Sequence, residues 1–186
     1  MIIKKAFTLA ETLIVITIIG ILAVITMPSL TGSLPDRNKT MFKKAYSIVE
    51  RTVAEAVNDE TLYPFDRERI GFANTDEITI PGANITAKGN TKFCTIFMNK
   101  VNVIGEPANP CEFETTDGLS WKLPKADFAT GTTAVVTVDV NGTDKQPNKR
   151  GEDVFEINVR YDGKISVEED STEAEYLRSQ SLKQTK

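Results

Sequence analysis

Histidine is absent from all 186 residues. Its absence removes the commonest general base, the usual zinc ligand and the base of Ser-His and Cys-His nucleophile pairs. Cysteine is scarce: Cys94 and Cys111 are too few for a cysteine-based metal centre and enough for one disulfide. Positive charge is not in surplus. The net charge of −4 argues against direct binding of nucleic acid. There is no glycine-rich phosphate loop, internal repeat or low-complexity stretch. Carboxylate neighbours such as Glu152 and Asp153 would point to opposite faces of a strand, so they make no acid–base pair. Together these absences lead away from an enzyme. What is present, 40% hydrophobic residues in a chain of this length, suits one medium domain with an appendage.

The appendage is at the front. From Ala6 to Leu30 the only charge is Glu11. At about 1.5 Å per residue, a helix over residues 7–35 is long enough to cross a hydrocarbon core of about 30 Å. Three readings compete. A secretory signal peptide would need a small-x-small cleavage site after the run, and "AVITMPSLTGS" is a poor one. A plain transmembrane anchor leaves its orientation open, because Lys4 and Lys5 precede the run while Arg37, Lys39, Lys43 and Lys44 follow it. Neither explains Glu11, since an acid in lipid is costly and usually paired, and the run holds no basic side chain. A cut between Ala6 and Phe7 supplies the missing cation as a new α-amino group, one helical turn from Glu11. If the helices pack with an axial offset, each acid meets the next subunit's terminus and a lone charge becomes an assembly register.

These residues resemble the N-terminus of type IV prepilins and type II secretion pseudopilins. The match rests on Lys4, Lys5, Phe7, Thr8, Leu9 and Glu11, with Gly20 and Pro28 where that class commonly has glycine and proline. Ala6 replaces the usual glycine before the cut, and Ala10 replaces a bulky aliphatic. The resemblance covers about the first quarter of the chain. It implies a leader over residues 1–6, cleavage by a prepilin peptidase, methylation of Phe7, and assembly through Glu11. It further implies a single-pass protein of the inner membrane with its head outside the cytoplasm, and a filament in the periplasm or at the cell surface. The implied partners are other pilin or pseudopilin subunits, the peptidase, an inner-membrane assembly platform and membrane lipid. The alternative is a membrane-anchored extracytoplasmic binding protein or enzyme that uses the run as a signal-anchor.

The head occupies residues 36–186. Pro28, Gly32 and Pro35 interrupt the first helix. Helical spacing then resumes over residues 36–58, where Phe42, Ala45, Tyr46, Val49, Val53, Ala56 and Val57 form one stripe. Residues 60–90 read as loops with at most one short strand near Ile78. Phe93, Ile96, Phe97 and Val101 predict a short helix ending near Gly105. Period-two alternation then predicts a hairpin with a type I′ turn at Asp117-Gly118, a strand over Thr132–Val140, and a second hairpin about Asp162-Gly163. The predicted fold is α+β: a long N-terminal transmembrane and stem helix packed on a small antiparallel sheet, which is also the lollipop that the resemblance implies. The polar tail, residues 168–186, reads either as a short exposed helix with a Thr172–Glu175 capping box or as disorder.

Two features of the head carry chemistry. In an exported head Cys94 and Cys111 would form a bridge closing about 17 residues; in a reducing setting they would be two buried thiols. Pilins often carry such a bridge. Asp139, Asn141 and Asp144, with Asn148 or Asp153 opposite, form the densest oxygen-ligand stretch and a candidate calcium loop. Gly142 is misplaced for an EF-hand, and the same residues equally make a plain turn. Some pseudopilins bind calcium in a head loop. The sequons at Asn84 and Asn141 are short and common, and no function is assigned to them.

Overall fold

The protein was described from a computed structural model, which covers residues 9–31, 37–125 and 128–181. The chain divides into two compact units, residues 1–37 and 38–186.

The first unit contains one described helix, α1 (Leu9–Thr31). Thr12 and Thr17 return their hydroxyls to the carbonyls of Leu9 and Leu13, the usual way such side chains are accommodated within a helix. The expectation of one long transmembrane and stem helix packed on the head does not hold. The described helices there are α1, to Thr31, and α2 (Arg37–Val57). Among the described residues no helix is long and apolar enough to cross a membrane. The single-pass inner-membrane location inferred from the same run is overturned with it.

The second unit is α+β. Its main sheet is a five-stranded antiparallel meander of β3 (Glu112–Glu114), β4 (Ser120–Lys122), β5 (Thr133–Asp139), β6 (Val154–Arg160) and β7 (Ile165–Ser166). The register aligns Phe113 with Trp121, Trp121 with Val138, and Val138 with Phe155, so one apolar row crosses four strands on one face. Two helices cover that face. From α2, Phe42, Ala45, Val49, Val53 and Ala56 are buried as the stripe predicts, and the Phe42 ring meets Phe155 at 4.8 Å. From α3 (Lys92–Lys100), Phe97 lies 5.5 Å from Trp121. α3 stops at Lys100, earlier than the spacing suggested. The chain then turns to run beside β3, where Ile104 N–H donates to the Glu114 carbonyl.

Both hairpins form, but the type I′ turn expected at Asp117-Gly118 does not. That turn needs positive φ at both central residues. Gly118 and Gly163 have it, at 83° and 85°, while Asp117 and Asp162 do not. In each case a three-residue loop closes with the glycine as a bulge: Gly118 N–H donates to Thr115 O, and Gly163 N–H to Arg160 O. Gly163 is also fixed by contact, because a Cβ there would lie 2.7 Å from Val57 Cγ1. A second, two-stranded sheet pairs β1 (Ile78–Ile80) with β2 (Ile85–Ala87), where the sequence suggested one strand at most. The chain closes with α4 (Thr172–Ser181), which is docked: Ala174 is buried, and the Tyr176 ring meets those of Phe42 and Phe155. Its cap is Ser171, whose hydroxyl accepts the Ala174 N–H, one residue before the expected Thr172.

Candidate functional site

In α1, Leu13, Ile14, Val15 and Ile16 are four consecutive exposed apolar residues, followed by Ile18, Ile19, Ile21 and Leu22. Successive helical residues are rotated by about 100°, so this run leaves no polar face. A helix that is apolar all round requires neighbours on several sides. Glu11 is exposed in the first turn and is the sole charge of the helix. A carboxylate there also suits the positive end of the helix dipole. Ala6 and Phe7, the residues expected to flank the cut, lie outside the described residues.

Cys94 and Cys111 are joined as a disulfide. The bridge ties α3 to the chain entering β3, and both residues are buried in the core.

The candidate calcium residues are arranged differently from a ligand set. Asp139 and Asp153 are buried, whereas Asp144 is exposed. Asp139 Oδ1 accepts the N–H groups of Asn141 and Gly142. Asp153 accepts the N–H of Asn148 at 2.9 Å, the N–H of Lys149 at 2.7 Å and the Asn141 side-chain amide at 3.1 Å. Asp139 Oδ1 and both Asp153 oxygens therefore accept from the loop's own donors, while Asn141 Oδ1 is buried with no hydrogen-bond partner. Among the described residues no group of three or more His, Cys, Asp or Glu is placed to hold a metal ion. The two acids respond differently to their surroundings. Burial, together with repulsion from Asp153 and Glu114, raises the Asp139 carboxyl above its usual range despite the backbone hydrogen bonds. Burial also opposes the charge of Asp153, but the donors from Lys149, Asn148 and Asn141 outweigh it and hold that carboxyl below its usual range.

A groove of about 620 Å³ lies between α2, the end of α3 and the β3–β4 hairpin. Its walls are tied by the Lys44–Asp117 pair at 3.0 Å and the Lys100–Glu55 pair at 3.5 Å.

Two residues with unusual environments were not singled out by sequence reasoning. Lys92, 1% exposed, has no hydrogen-bond partner for Nζ and places it 4.5 Å from the centroid of the Tyr63 ring, whose hydroxyl is likewise unpartnered. Glu173, 3% exposed, accepts the backbone N–H of Glu156. Lys92 precedes the apolar Phe93 at a helix start and Glu173 sits in a polar tail, so nothing in the local pattern signals burial of either. No protein-family model matches the chain, and neither curated proteins nor solved structures give a match.

Proposed function

We propose that the chain is a structural subunit of a filament of the type IV pilus or type II secretion pseudopilus kind. In this reading a prepilin peptidase cuts between Ala6 and Phe7, and the mature chain assembles through α1. The observation that supports it is the apolar surface of α1 on every side. A dimer would cover one face of such a helix, while a bundle of like helices covers all of them. Glu11 then sets the register. In an apolar bundle its carboxylate is stable only beside a cation, and the α-amino group of Phe7 from a neighbouring subunit supplies one. The Ala6–Phe7 cut, the methylated terminus, the filament and its assembly platform all follow from this one reading of the N-terminal residues.

The test is Glu11→Ala. Cleavage should proceed, because the cut site is unchanged, while filaments seen by electron microscopy should fall at least tenfold. Normal filaments in that variant would remove Glu11 from assembly. Cleaved, soluble monomers from the unaltered chain would remove the filament itself.

A further inference from the structure

Two stretches share the Asn-x-Thr pattern, Asn84-Ile85-Thr86 and Asn141-Gly142-Thr143, and the fold presents them differently. Asn84 closes the loop 81–84 that joins β1 to β2. The register pairs Ile80 with Ile85 across that loop, and Ala83 N–H donates back to the Ile80 carbonyl. Asn84 takes a φ of 53°, the left-handed region that asparagine enters more readily than most residues with a side chain. A Cβ added at Gly82 would meet nothing within 4 Å, so that side of the loop is open. Asn84 and Thr86 are exposed, while Ile85 between them packs against the core. Among the described residues none is hydrogen-bonded to the Asn84 amide or the Thr86 hydroxyl. A pinned turn thus offers both groups to solvent.

Asn141 is held the other way. Its Nδ2 donates to Asp153 Oδ2 at 3.1 Å, its Oδ1 is buried without a partner, and Asp153 is 0% exposed. The Thr143 hydroxyl is turned to Glu114 Oε1 at 3.4 Å. A group added to Asn141 Nδ2 would have to displace the Asp153 contact and enter the loop. The two stretches have the same pattern, so only the fold ranks them.

A second observation bears on the setting. The Cys94–Cys111 bridge belongs to an oxidising compartment, and exported chains are those in which an Asn-x-Thr stretch on a surface loop accepts a glycan.

We propose that Asn84 is an acceptor of N-linked glycosyl transfer and that Asn141 is not. The donor is a sugar activated by phosphate at its anomeric carbon, delivered by a transferase. A bond forms between Asn84 Nδ2 and that carbon, the bond from the carbon to the phosphate oxygen breaks, and one amide proton leaves with the phosphate. The site needs an exported chain and not a filament, so it stands or falls apart from the assembly reading.

The test is peptide mass spectrometry of the full chain isolated from the cells that make it. Cleavage after lysine and arginine places the two stretches on separate peptides, residues 70–88 and residues 126–145. The first should carry a saccharide mass that fragmentation assigns to Asn84, and the second should have its bare mass. Thr86→Val, which keeps a β-branched residue in the strand, should lose the saccharide, and Thr86→Ser should retain it. A bare first peptide would overturn the site. A saccharide that survives Thr86→Val would overturn the role of the Asn-x-Thr pattern, and saccharide on both peptides would overturn selection by the fold. Filaments scored by electron microscopy in the Thr86→Val chain should be unchanged, so a failure of assembly is read separately.

Discussion

At the scale of single residues, the charges that matter in the head are buried ones. Asp153 collects three donors on its carboxylate and in doing so pins the loop between β5 and β6. Asp153→Asn replaces one acceptor oxygen by an amide donor that must face either the Lys149 N–H or the Asn148 N–H, and should cost about 2 kcal/mol in denaturant unfolding at neutral pH. The Asp153 carboxyl is held low in the folded state, so its contribution is complete above the unfolded value and disappears as pH falls through the folded one. The stability curves of parent and variant should therefore converge in acid. Lys92 works in the opposite direction. Burial, with a further push from Arg69 and only partial relief from Asp76, lowers its ammonium to about 8. Between that value and the ordinary 10.5, the unfolded chain holds a proton that the folded chain lacks, so stability should rise with pH by on the order of 3 kcal/mol. In Lys92→Met, chemical denaturation from pH 7 to 10.5 should lose that rise. A parallel rise in the variant would show that the buried amine is not its source.

At the scale of elements, what was legible in the sequence is whatever its own periodicity encodes. Phe42, Val49 and Val53 recur at helical spacing because α2 lies on the sheet by one face, and Phe155, Ile157 and Val159 alternate because β6 is covered on one side. The short pieces were not legible. β1 and β2 are three residues each, too brief for alternation to show against the Pro81-Gly82 turn signal between them. α4 looked like exposed tail because the residues that dock it, Ala174 and Tyr176, meet partners far away in sequence, Phe42 among them. The hydrogen bonding of the candidate calcium loop was not legible for a related reason. Composition shows the oxygens of Asp139 and Asp153 but not the backbone donors of Asn148 and Lys149 that occupy them. The cysteine pair carries the prediction at this scale. The bridge closes a separation of 17 residues, so reducing and alkylating it should lower unfolding stability by about 3 kcal/mol while leaving the sheet in place. Urea titration followed by Trp121 fluorescence, with that side chain buried against Phe97, reads both.

At the scale of the whole molecule, the two units make different demands. Residues 38–186 enclose their own core of Phe42, Trp121, Phe155 and their neighbours. α1 presents an apolar surface that the chain alone leaves exposed. The run was readable in the sequence, and what surrounds it was not, because a single chain does not record its neighbours. The filament reading resolves that mismatch through one covalent event, the release of an amine at Phe7 to meet Glu11 of another copy. The most direct measurement is the intact mass of the protein isolated from the cells that make it, with the cysteines left unreduced. The account predicts a chain that begins at Phe7, carries one methyl group on its terminal amine and lacks two hydrogens for the Cys94–Cys111 bridge. A mass that retains Met1 would contradict it.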